Sequence, residues 1–154
     1  MGELPDDVAA LQQAGRGRFS DVRVFAEVDS TNTMLLAEAA AGAGDGTVVV
    51  ADHQSAGRGR LGRTWNAAPG SALLVSVLVR PAVAPGRVAT LTLVAGYEMA
   101  AAIDAECDAG VALKWPNDLR LGGRELGGVL AEARTDAPGA LVIGVGVNIR
   151  RGAL

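Results

Sequence analysis

The sequence predicts a single α+β domain. Three observations predict it: 154 residues suit one hydrophobic core, 49% hydrophobic against 20% charged residues is a globular balance, and several short strand-like segments interleave with two helical runs.

Residues 1–20 read as a short polar segment, weakly helical over 8–13 and too short for a helix-turn-helix DNA-binding module. The domain itself is expected over 21–154. VRVFAEV, residues 22–28, alternates as a strand, and Ser30, Thr31 and Asn32 then bring N-cap chemistry to an apolar helical run over 34–41 that stops at Gly42. Asp45-Gly46 turns the chain into a β-branched buried strand over 47–52, which delivers His53, Gln54 and a glycine-arginine loop. Residues 71–80 (SALLVSVLVR) read as a long strand and 81–86 as a loop. Over 87–102 the spacing predicts a helix facing the core with Leu91, Val94, Ala95, Met99 and Ala102. A short strand from Val111 brings Lys114 and Trp115 to a Pro116-Asn117-Asp118 turn. Residues 119–121 and 126–133, joined by Gly122-Gly123, form a hairpin in which Gly127-Gly128 allow close backbone approach. A last strand over 140–147 ends at Asn148.

Composition excludes several classes of function. A net charge of −3 argues against general nucleic-acid affinity, so no DNA partner is expected. The apolar runs read as too short or too interrupted to span a bilayer, and no membrane role is expected. Cys107, the lone cysteine, makes no internal disulfide, and its acidic neighbours Glu106 and Asp108 disfavour a reactive thiolate. With an acidic, proline-broken start unlike a signal peptide, the expected location is cytoplasmic. His53, the only histidine, is expected not to be catalytic.

The chemistry concentrates in ADHQSAGRGRLGRTW, residues 51–65. Arg58, Arg60 and Arg63 stand between Gly57, Gly59 and Gly62. Such glycines weaken regular structure and let backbone approach a ligand, and the arginines offer fixed forks of donors for carboxylate or phosphate. The stretch is expected to be a mobile anion-binding loop. A dinucleotide fingerprint fits poorly, because Arg63-Thr64-Trp65-Asn66 runs into Ala-Pro-Gly where that motif requires a helix. A second concentration surrounds Lys114, the single lysine among 14 basic residues, beside Trp115.

In order, S-T-N, Q-S-A-G-R-G-R-L-G-R-T-W, K-W-P-N-D, G-G-V-L-A-E and G-V-G-V-N-I resemble the catalytic domain of biotin protein ligases, from about Val24 to Ile149. The resemblance implies a central mixed sheet flanked by helices, related to lipoate ligases and class II tRNA synthetases. It implies a two-step reaction in which biotin and ATP with Mg2+ give biotinyl-5′-adenylate, and the acyl group passes to a lysine of a biotin carboxyl carrier domain. By the family pattern, Ser30, Thr31, Asn32, Gln54, Gly57, Arg58, Gly59, Arg60, Gly127 and Gly128 would surround biotin. Arg60, Arg63, Trp65, Lys114, Asn117 and Asn148 would lie on the nucleotide side, with Asp118 on the metal. Arg58, Arg60 and Lys114 would be catalytic, and no residue need act as nucleophile. Whether the chain forms a homodimer is left open.

Two departures from the pattern stand out. Where the family has a lysine facing biotin's carboxylate, this sequence has Glu125, whose charge repels that carboxylate and the phosphates. Arg124 could replace that lysine only by a register shift of one, which alternation opposes. The family also continues past G-x-N-I with further helices and a small β-barrel, so the expectation is a catalytic domain incomplete at its C-terminal end. The lack of a DNA-binding module resembles the monofunctional ligases. The alternative is a non-catalytic biotin or adenylate binder. A lipoate or octanoate ligase is disfavoured by GRGRxGRxW.

Overall fold

The computed structural model describes residues 17–150 together with Ala10 and Gln13. The expected helical turn over 8–13 otherwise lies outside the described residues.

The strands are β1 (Val22–Val28), β2 (Val48–Gln54), β3 (Ala72–Val79), β4 (Ala112–Lys114), β5 (Asp118–Leu121), β6 (Arg124–Glu132) and β7 (Leu141–Asn148). They form one mixed sheet in the order β1-β2-β3-β7-β6-β5-β4. Only β1 and β2 run parallel, because helix α1 (Thr31–Ala40) crosses between them; every other neighbour is antiparallel. Helix α2 (Val88–Cys107) connects β3 to β4.

Alternation divides the sheet between the helices. On one face Leu35, Leu36 and Ala39 of α1 pack with Val49, Leu78 and Val142. On the other, Ala100 of α2 packs with Leu119 and Val147, and Leu73, Met99, Leu126 and Val145 join it. A single strand such as β7 thus serves both layers, Val142 to one and Val145 and Val147 to the other.

Most of the expected elements are present, within a few residues at their ends. Two expectations are corrected at α2. Leu91, Ala95 and Met99 are half-buried, but Val94 is 49% exposed and Ala102 is also exposed. The helix meets β4–β6 through its buried Gly96 and Ala100, and residues two positions away lie about 200° round the helix, on its outer side. Nor is every apolar run too short for a bilayer: α2, at 20 residues, is long and apolar enough by length and composition, although it packs here against the sheet.

Candidate functional site

The site lies on the α1 face of the sheet, where α1 begins. Ser30 caps the helix, its hydroxyl accepting from Thr33 N, which sets Ser30, Thr31 and Asn32 at the end of β1. All three are buried. Burial of that many polar side chains requires partners. Gln54 at the end of β2 supplies some, its Oε1 accepting from Thr31 N at 2.8 Å and Thr31 Oγ1 at 3.1 Å. Ser76, fully buried in β3, supplies others, its Oγ lying 2.6 Å from Asn32 Oδ1 and 2.7 Å from Thr31 Oγ1. Asn32 Nδ2 donates to Leu130 O at 3.1 Å and to Glu132 Oε2 at 2.8 Å.

The glycine-arginine loop is closed on itself as a narrow hairpin. Gly59 N donates to Arg63 O at 2.7 Å and Trp65 N to Gly57 O at 2.8 Å, and Arg58 pairs with Thr64. Gly57 sits where a Cβ would lie 2.5 Å from Trp65 O and 2.7 Å from Gln54 Nε2, so a side chain there would push the loop from its seat. At the loop's tip Leu61 is 88% exposed in the left-handed region, at φ 57°. The returning limb lays the Trp65 indole over Gly146 of β7; a Cβ on Gly146 would stand 2.9 Å from Trp65 Cε2.

These parts enclose a cavity of about 420 Å³. Its walls include Ser30, Thr31, Asn32 and Gln54 at one end, and Arg58, Gly59, Arg60, Arg63 and Trp65 from the loop. Lys114, Asn117, Asp118 and Glu125 come from the β4–β5–β6 edge, and Gly128, Gly144 and Gly146 lie along the sheet. Arg60 crosses toward that edge, its Nη1 donating to Asn117 Oδ1 at 3.3 Å. Among the described residues no carboxylate pairs with Arg60, Arg63 or Lys114, whereas Arg58 is paired with Glu132. The Trp65 indole N–H also lacks a partner. The cavity therefore joins a neutral, hydrogen-bonding end to a cationic one, and the second suits carboxylate or phosphate.

Three expected site residues fall outside its walls. Gly57 supports the loop from behind. Gly127 is packed against β7, where a Cβ would lie 2.2 Å from Gly146 O, so it serves strand contact. Asn148 ends β7 with its Oδ1 buried and without a partner. Glu125 does line the cavity, and Arg124 does not. Ser76 and Glu132 carry the polar network without having been singled out. Ser76 left a signal, a polar residue in the buried phase of the alternating ALLVSVLV strand; Glu132 left none beyond its place in G-G-V-L-A-E.

The profile of the biotin/lipoate A/B protein ligase family matches residues 24–148. The biotin--[acetyl-CoA-carboxylase] ligase of Mycobacterium tuberculosis is 43% identical over 141 residues, 88% of this chain and 52% of that protein. The bifunctional ligase/repressor BirA of Escherichia coli is 36% identical over 151 residues, 95% of this chain and 47% of that protein. Biotin protein ligase from Aquifex aeolicus, solved in complex with biotin and ATP, aligns with a TM-score of 0.76 at 33% identity, covering 88% of this chain and 55% of that one. The matched region spans between 30% and 53% of the length of these and the other curated relatives.

Proposed function

The chain belongs to the biotin/lipoate A/B protein ligase family, and from that premise we propose that it carries the catalytic domain of an ATP-dependent biotin protein ligase. One observation carries the reading: a single cavity joins Ser30, Thr31, Asn32 and Gln54 to the cations Arg60, Arg63 and Lys114. Biotin divides in the same way, into a neutral ureido ring with two N–H donors and one carbonyl, and a carboxylate on an aliphatic arm. Gly128 leaves room for the body of the ligand along the sheet, and Trp65, seated over Gly146, walls it.

In the first step a biotin carboxylate oxygen attacks the α-phosphorus of ATP, the bond to the bridging oxygen breaks, and pyrophosphate leaves. Two anions must meet, and Arg60 and Lys114, which line the cavity, offset their repulsion. Arg63, Trp65 and Asn117 take the nucleotide side, with Asn148 behind them. In the second step the amine of a carrier-domain lysine attacks the acyl carbon and AMP leaves. Mg2+ bound with ATP would neutralise phosphate charge. Asp118, which lines the cavity, would hold it, in keeping with a metal that takes one or two carboxylates plus phosphates. A cytoplasmic setting belongs to the same proposal.

The second reading, a binder without turnover, rests on Glu125. Its negative charge lines the same cavity as Lys114 and Arg60. The test is the intact mass of a biotin carrier domain after incubation with the chain, biotin and MgATP, run beside Glu125→Lys. Addition of one biotinyl group by the parent chain is the expected result, with the variant at least tenfold faster, the equivalent of about 1.4 kcal/mol. No transfer by either protein, with biotin still bound in calorimetry, would replace the ligase reading with the binder.

A further inference from the structure

Arg58 differs from the other arginines of its loop in being paired with a carboxylate. Its Nη1 donates to Glu132 Oε1 at 2.6 Å and its Nη2 to Glu132 Oε2 at 2.8 Å, a two-pronged pairing, and Nη2 also reaches Thr33 Oγ1 at 3.1 Å. The same Glu132 Oε2 accepts from Asn32 Nδ2 at 2.8 Å. One carboxylate at the end of β6 thus ties the loop to the start of α1. From Asn32 the hydrogen bonds continue through Ser76 and Thr31 to Gln54, the neutral end of the cavity. The pair is part-exposed, at 42% for the Arg58 side chain and 23% for Glu132. A single surface ion pair contributes little, but bidentate geometry within a network is the case in which it counts.

We propose that Glu132 is a positioning residue of this site: it holds the Arg58 fork, and through it the loop, so that Arg58 anchors the loop while Arg60 and Arg63 present charge to an anionic ligand. The anchoring belongs to the ligand-free chain. Its consequence for biotin rests on the function proposed above.

The ligand-free arm is limited trypsin digestion, reading cleavage after Arg60 and Arg63 by mass spectrometry in the parent, Glu132→Gln, Arg58→Gln and the double variant. In Glu132→Gln an amide oxygen in the Oε2 place still accepts from Asn32 and Arg58 Nη2, while the carboxylate charge is lost and an NH2 faces Arg58 Nη1 in place of Oε1, so the change weakens the arginine pairing and spares the Asn32 bond. Arg58→Gln tests the same link from its exposed side, where folding is least at risk. Each single variant is expected to be cut roughly fivefold faster, and the double variant no faster than either, because both remove one tie. Rates equal to the parent, or effects that multiply in the double variant, would overturn the anchoring.

The second arm titrates biotin calorimetrically into the same four proteins. Loss of affinity by about tenfold in both single variants, without further loss in the double, supports the positioning role; loop exposure with unchanged affinity overturns it and leaves Glu132 a structural tie. If the parent itself binds no biotin, the functional reading fails, and the digestion pattern still decides the anchoring.

Discussion

Gly144→Ala is the substitution whose effect follows most directly from the geometry. A Cβ at this buried β7 position would lie 2.2 Å from Asn32 Oδ1, 2.8 Å from its Cγ and 3.1 Å from its Nδ2. Ordinary contact needs at least 3.4 Å, so the Asn32 amide must retreat by more than 1 Å. It has nowhere to go, because it is 4% exposed and bonded to Ser76, Leu130 and Glu132. Overpacking costs about 1–3 kcal/mol, and each hydrogen bond lost adds about 0.5–1.5 kcal/mol. With one or two bonds broken, we expect a destabilisation of about 3 kcal/mol, or a fall in Tm of roughly 6–12 °C for a domain of this size. The assay is urea unfolding followed by far-UV circular dichroism, with Gly44→Ala as control; nothing lies within 4 Å of a Cβ at Gly44, and its φ is not positive. If Gly144→Ala lies within about 0.5 kcal/mol of the parent, the proposed clash with Asn32 is wrong.

Ser76→Ala should lower the urea midpoint by the equivalent of about 1–3 kcal/mol with an unchanged slope, since it strands Asn32 Oδ1 in a fully buried position; a neutral result would mean that Asn32 finds another donor. Asp45 is held below the ordinary carboxylate range, first by the Arg18 guanidinium and then by the backbone N–H of Arg80. A carboxyl with a depressed folded pKa adds stability above its unfolded pKa of about 3.9, and that stability disappears as pH falls through the lower folded value. Thermal melts of the parent and Asp45→Asn should therefore separate above about pH 4, the parent being more stable, and converge as pH falls through the lower folded value; parallel curves over the acid range would remove Asp45 from the acid sensitivity.

Much of this was legible because the signals were local. Ser30 stands at the strand-to-helix junction that its N-cap chemistry announced, and the alternation of 22–28 and 71–80 located β1 and β3. The loop's composition revealed its charge but not its shape. That shape depends on Glu132, 74 residues away from Arg58, and on Gln54 Nε2 and Trp65 O closing behind Gly57. No spacing in the sequence encodes such a meeting. The apolar spacing of 87–102 likewise announced a helix without saying which side would be covered. The covered side was set by the small residues Gly96 and Ala100, which allow close approach to Leu113 and Val129. Hydrophobic spacing placed Leu91, Ala95 and Met99 on the covered side and misplaced Val94 and Ala102, which lie on the outer one.

The orientation of Glu125 turns on one residue of register. Along β6, Gly128, Val129 and Leu130 all border the cavity, but the Val129 side chain reaches Gly96 of α2 beneath it, so strict alternation would send Glu125 to the α2 face with Gly127. The pairing prevents that: Leu119 faces Gly127, but the next residue, Arg120, faces Glu125, leaving Leu126 as an extra residue in β6. Such a bulge resets the alternation. Leu126 joins the apolar cluster around Ala100, Leu119 and Val147, and Glu125 lines the cavity. The bulge therefore sets the acidic side chain on the cavity side and leaves Arg124 outside its walls. Burial of Leu126 drives the choice, since turning it outward would expose an apolar side chain worth about 2 kcal/mol of burial. Glu125 is thus held in the cavity by the core itself, and Glu125→Lys should change the charge of the site without moving the strand.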